Sequence, residues 1–237
     1  MKKTLLSTLV LTGLGITTLG SVTQAATYPS ATEGISEVNA TITIGDGGGP
    51  EVPPIGPGFP ELPGIDLPTN PKAGEFGLRY ISDIEFGDIE VSTNAQSVFA
   101  TEDTNKAYPM IVVQDYRGDD IRDGWQVTIK QETELFRGAE IKMNPSVTAD
   151  NMAVIAVPTS GITLNSSAQI FANTKVEASK PAGIYSIGMG NPTEGVEGVE
   201  GVELVVPANS SVGEYSTKLT WNLVSGPVNG LEPEPEP

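Results

Sequence analysis

The chain predicts an all-β fold, either a two-sheet β-sandwich or a barrel-like closure, preceded by a Pro/Gly-rich linker. Two observations carry that reading. Between Phe76 and Pro227 the sequence is a succession of short runs rich in Ile, Val, Thr and Tyr, each bounded by Gly, Asn, Asp or Pro. The two tryptophans of the chain, Trp125 and Trp221, each precede an aliphatic residue by two positions, Val127 and Leu223. In an extended strand, positions i and i+2 share a face, so each pair is a unit of one apolar strand surface.

Taken in chain order, residues 1–25 read as a secretory signal peptide. Lys2 and Lys3 form a basic start, Leu5 to Leu19 an apolar run, and "TQA" a small-residue cleavage site after Ala25. Residues 26–44 end in "NATITIG", where Ala40, Ile42 and Ile44 alternate with Thr as one short strand would. Residues 45–75 are so rich in Pro and Gly that a linker, partly polyproline-like, is expected, and its deletion should leave the cooperative unfolding of the following domain nearly unchanged. "LPTN" at 67–70 resembles a sortase sorting signal but lacks its Gly, its hydrophobic tail and its C-terminal position, so it does not support covalent wall anchoring.

The β domain is assigned to residues 76–227, with strands expected in "LRYISDIEF", "YPMIVVQDY", "WQVTIKQ", "AEIKMN", "MAVIAVP", "GIYSIG", "VELVVP" and "STKLTWNLV". A length of roughly 150 residues suffices for one core between two sheets or inside a barrel. "TEGVEGVEGVEL" repeats Gly-Val-Glu too briefly for a solenoid and reads as a hairpin with an acidic loop. Residues 228–237, ending in "EPEPEP", form a solvated acidic tail.

On the second tryptophan unit, Tyr215, Thr217, Leu219, Trp221 and Leu223 fall on one face, and Ser216, Lys218, Thr220 and Asn222 on the other. On the first, Trp125, Val127 and Ile129 alternate with Gln126, Thr128 and Lys130. A tryptophan on such a face is more often core than ligand platform. The expectation is a mainly buried Trp221 with one ring edge at the surface. The two units are expected on adjacent or facing strands.

Charge and composition narrow the function. The expected leader takes two of the 13 basic residues and none of the 30 acidic ones, so its removal moves the formal charge from −17 to −19. Nucleic acid and other polyanions would be repelled, and no basic patch can serve as the binding device. Cysteine is absent, so an exported chain relies on its core rather than on disulfides. Histidine is absent too, which removes Ser-His-Asp and Cys-His catalysis and His-ligated zinc. Glu132 and Glu134 could in principle cleave a glycan as a carboxylate pair, but alternating positions at a strand end are more simply solvated. No cofactor, metal or catalytic residue is assigned, and no later run has the length of a spanning helix.

Ahead of Trp125, "VQDYRGDDIRDGW" gathers Asp115, Asp119, Asp120 and Asp123 around Arg117 and Arg122. A calcium loop, an integrin-type "RGD" and a charged turn held by Asp and Arg hydrogen bonds compete here, and the turn is the default.

Together, "ISDIEFGDIEVS", "VQDYRGDDIRDGWQVTIKQ", "LFRGAEI" and "LTWNLVSGP" occur in the order found in the small WxL-domain cell-surface proteins of Gram-positive bacteria, and nearly the whole mature chain resembles that family. The resemblance implies a secreted, non-catalytic protein attached non-covalently at the cell wall surface through peptidoglycan binding. It places that binding on Trp125, Val127, Trp221 and Leu223, with Asp115, Arg117 and Gly124 as neighbours. It also implies other WxL proteins and WxL-interacting surface proteins as partners. Val127 departs from the usual Leu, which a strand accommodates equally well. The competing reading is a structural or adhesive subunit that binds partner proteins or host extracellular matrix.

Overall fold

The computed structural model describes residues 26–43, 70–104, 108–147, 153–175, 178, 182–190 and 198–226. The signal peptide, nearly all of the Pro/Gly linker, the start of the Gly-Val-Glu repeat and the acidic tail lie outside the described residues. Among the described residues thirteen strands follow in chain order: β1 Glu33–Thr43, β2 Phe76–Ile81, β3 Ile84–Glu90, β4 Gln96–Ala100, β5 Met110–Asp115, β6 Trp125–Gln131, β7 Glu140–Met143, β8 Ile155–Ala156, β9 Ile162–Thr163, β10 Gln169–Thr174, β11 Gly183–Gly188, β12 Val199–Val206 and β13 Gly213–Ser225. The described residues contain no helix, and therefore none long and apolar enough to cross a membrane.

The strands form three sheets. The largest runs β3-β1-β13-β6-β10-β8, the second β11-β5-β2 and the third β4-β12-β7-β9. The alternation in β6 and β13 decides their placement. Trp125, Val127, Ile129 and Gln131 are buried while Gln126, Thr128 and Lys130 are half-buried, and β13 alternates the same way from Thr217 to Leu223. Both are interior strands of the large sheet, with one face on the core.

A single core joins all three sheets, including Ile84, Trp125 and Trp221 from the first, Leu78, Ile111 and Ile187 from the second, and Ile141, Val202 and Leu204 from the third. The sheets also touch at their edges. Glu85 bridges Thr101 between the first and third, and Ser146 bridges Gly188 between the third and second. The amide of Leu78 donates to the carbonyl of Ala31 at 2.6 Å, linking the second sheet to the chain entering β1. The architecture is thus a sandwich whose sheets curl toward barrel closure, the fold class the alternation implied.

The N-terminal segment is longer and more central than "NATITIG" suggested. β1 pairs antiparallel with β13 from Glu33↔Asn222 to Ile42↔Gly213, and parallel with β3 from Val38↔Ile84. Its inward positions carry Gly34, Ser36, Val38 and Ala40, all buried. Gly34 stands opposite Trp221, and a Cβ on it would meet Ile81 Cδ1 at 2.1 Å, so a larger residue there would have to push the end of the Ile81 side chain aside.

"LRYISDIEF" is two strands rather than one. The chain leaves the second sheet at Ile81 and enters the first at Ile84, and Ser82 fixes the crossing: its hydroxyl accepts from the amide of Met110 at 2.8 Å and donates to the same residue's carbonyl at 3.1 Å. The end of the expected linker is also packed. Asn70 is buried, and its Nδ2 donates to the carbonyl of Leu78 at 2.8 Å.

Candidate functional site

The two tryptophan units lie side by side in antiparallel register. Leu223 stands opposite Val127, with Trp221 opposite Ile129 on one side and Trp125 opposite Ser225 on the other. Directly opposed residues share a face, so the arrangement is close to two-fold: a Val127–Leu223 centre with one indole toward each end of the pair. This is the neighbourhood expected for Trp125 and Trp221.

Neither ring reaches the surface. Trp125 is 1% exposed and Trp221 is 0%, and Val127 and Leu223 are buried with them. The ring edge anticipated at the surface is therefore absent, because the second and third sheets cover this side. Trp221 sits edge-on to Phe171 at 4.8 Å between centroids, and its Nε1 donates to Ser36 Oγ at 3.0 Å. Trp125 is tilted against Tyr185 at 5.7 Å. Its amide donates to Thr174 Oγ1 at 3.0 Å, but its indole Nε1 is buried without a partner. Val127 is held between Leu223 and Ala172 of the neighbouring strands.

Asp115, Arg117 and Gly124 form the clasp that joins these strand ends. Asp115 Oδ1 accepts from Arg117 Nε at 2.8 Å, and Oδ2 accepts from Nη2 at 2.7 Å, a two-pronged ion pair between a carboxylate 1% exposed and a guanidinium 11% exposed. Hydrogen bonding to Asp115 holds the guanidinium pKa above its ordinary value. The same guanidinium donates to the carbonyl of Gly124 at 3.2 Å and to Ser225 Oγ, and lies 4.0 Å from the centroid of the Phe76 ring. Gly124 has φ 107°, a conformation that favours glycine, and its carbonyl also accepts from the amide of Gly226 at 3.2 Å. One side chain therefore ties the end of β5 to the start of β6 and the end of β13.

The intervening loop is a charged turn. Arg122 donates to the carbonyl of Arg117 and pairs with Asp119. Among the described residues no group of three or more acids is placed to hold a metal ion. Tyr116 and Ile121 project from this loop at 50% and 54% exposure. Glu132 and Glu134 are each engaged locally: hydrogen bonding from Thr220, then from Lys130, lowers the Glu132 pKa, and Glu134 Oε1 accepts from the amide of Gly138 at 2.7 Å.

The structure thus brings Trp125, Val127, Trp221, Leu223, Asp115, Arg117 and Gly124 together at one region, all of them in the framework rather than on its surface. Sequence reasoning did not find Ser36, Thr174 or Phe171, which complete that framework from β1 and β10. The i+1 residue of each unit, Gln126 and Asn222, is what the two strands present on the opposite side of the sheet. Alternation alone placed them there.

No curated protein and no solved structure matches the chain. The family described as "WxL domain surface cell wall-binding" matches residues 31–227, from the turn before β1 to just past β13. That span contains both tryptophan units, the Asp115–Arg117 clasp and every strand of the three sheets, and the chain belongs to the WxL family of surface cell wall-binding domains.

Proposed function

We propose that this chain is a secreted, non-catalytic surface protein that attaches non-covalently to the Gram-positive cell wall by binding peptidoglycan through its WxL domain. The observation that supports the reading is the match of a wall-binding family over residues 31–227, combined with a formal charge of −17 that disfavours anionic wall polymers. Peptidoglycan offers sugar hydroxyls, acetamido groups and peptide amides, which hydrogen-bond without a basic surface.

The buried motif residues serve this function from beneath. Trp125, Val127, Trp221 and Leu223 hold β6 and β13 in register, and Asp115, Arg117 and Gly124 lock their ends. Co-sedimentation with purified peptidoglycan, with and without teichoic acids, tests the reading. Retention on peptidoglycan stripped of teichoic acids is expected, and loss of retention on that material would overturn it.

A second reading, a subunit of a surface complex that binds other WxL proteins, WxL-interacting proteins or host matrix, draws support from the exposed Tyr116 and Ile121 on one loop. Capture of a purified surface partner that is abolished by Tyr116→Ser with Ile121→Ser, with wall binding intact, would favour it.

A further inference from the structure

The side of the β6–β13 pair that faces away from the core carries neutral hydrogen-bonding groups around a short diagonal. Asn222 stands opposite Thr128, and Gln126 lies two residues along the same strand, so the two i+1 carboxamides of the tryptophan units are neighbours across the strand pair. Asn222 is exposed and Gln126 and Thr128 are half-buried. Neither carboxamide makes a side-chain hydrogen bond to the described residues.

A second observation falls at the same place. Asn173 of β10 stands directly opposite Gln126, which puts its side chain on the same face. It is 0% exposed, yet both its Oδ1 and Nδ2 lack partners. Buried carboxamides in folded proteins are normally satisfied, and an unsatisfied one points to a ligand or solvent group that completes it.

We propose that this face, centred on Gln126, Thr128, Asn222 and the recessed Asn173, is the peptidoglycan-reading surface of the domain, and that it takes the neutral N-acetylated glycan backbone. The inference rests on the peptidoglycan reading above and assigns its site. Three features select the ligand class. β6 and β13 are interior strands with both edges paired, so they cannot accept a peptide by strand addition and offer side chains alone. The flanking charges do not suit a polyanion: Lys130 is paired with Glu132 at 3.0 Å, and Glu33 stands opposite Asn222 on the β1 side. Carboxamides, each donor and acceptor at once, match sugar hydroxyls and acetamido groups, which are also both.

The test compares the full chain with Gln126→Ala/Asn222→Ala and with Thr128→Lys, in co-sedimentation with peptidoglycan freed of teichoic acids. Neutral strands of N-acetylglucosamine oligosaccharide, free of stem peptide and of lactyl carboxylate, serve as competitor. The double variant is expected to keep the wild-type unfolding midpoint and to bind about tenfold more weakly or worse, as loss of two ligand hydrogen bonds implies. Thr128→Lys, which adds bulk and positive charge, is expected to weaken binding as well, and the free strands to displace wild type. Folded variants that bind as wild type does, strengthened binding by Thr128→Lys, or failure of the free strands to compete would overturn this assignment while leaving peptidoglycan attachment standing. Failure of wild type itself to bind would overturn both.

Discussion

The two tryptophans are equally buried but differently satisfied, and that contrast has a measurable consequence. Trp221→Phe removes an indole N–H that donates to Ser36 Oγ at 3.0 Å and strands a hydroxyl on a residue 0% exposed. Leaving such a group unpaired costs about 1–3 kcal/mol. Trp125→Phe removes an N–H that is already unpartnered, so the desolvation it suffers, about 1–3 kcal/mol, is relieved. Both changes create a similar cavity, because both rings are fully buried. The cavity cost cancels in the comparison, and Trp221→Phe is expected to cost at least about 2 kcal/mol more than Trp125→Phe. Urea unfolding measures this directly, since each variant keeps the other tryptophan as its only indole reporter. Adding Ser36→Ala to Trp221→Phe should recover about 1 kcal/mol in a double-mutant cycle. Equal losses at the two positions, or a larger loss at Trp125, would refute the reasoning.

Three further outcomes are expected. Asp83 is buried, and burial first, with the nearby carboxylates of Asp103, Glu85 and Glu37, pushes its pKa up to about 6 against the amide hydrogen bond from Glu37. A carboxyl raised in the folded state contributes stability that is fully present below its unfolded pKa and lost as pH rises through the folded one. Stability should therefore fall by about 2–3 kcal/mol between about pH 4 and pH 6 on account of this group, and Asp83→Asn should remove that part of the slope in denaturant midpoints taken across pH. Arg117→Ala leaves the buried Asp115 unpaired and frees Gly124 and Ser225, so a loss of about 3 kcal/mol is expected by chemical unfolding, and less than about 1 kcal/mol would show the clasp to be ornamental. Asn70→Ala should lower stability by about 1–2 kcal/mol in the same assay, because the carboxamide that holds the carbonyl of Leu78 belongs to the packed end of the linker region.

The sequence was most readable where strands alternate cleanly. β6 and β11 coincide with the expected runs, and β13 shows the predicted faces, because a half-buried interior strand writes its burial directly into period two. β1 was read short because its inward positions include Gly34, which lies against Ile81, and Ser36, which accepts from Trp221, small residues that carry no apolar signal. β10 was missed for a related reason: a register shift between Ile170 and Ala172 breaks its alternation, and Asn173 and Thr174 are polar although buried. The division of "LRYISDIEF" between two sheets depends on Ser82 meeting Met110, a contact across 28 residues that no local pattern records. At the site, spacing paired each tryptophan with its aliphatic neighbour and the family resemblance singled out the motif residues, whereas their partners Ser36, Thr174 and Phe171 come from distant strands and emerge only on folding. The same spacing put Gln126 and Asn222 on the outer face, but not the buried Asn173 beside them.

The central claim is that the WxL strand pair keeps its tryptophans in the core and meets the wall with its other face. Acrylamide quenching of tryptophan fluorescence, measured on the full chain alone and with saturating solubilised peptidoglycan, tests it most directly. The account predicts weak quenching in both states, with no shift of the emission maximum on binding, because both indoles are 0–1% exposed before the ligand arrives. Strong quenching of the free protein that is suppressed by peptidoglycan would place the rings against the ligand and contradict it.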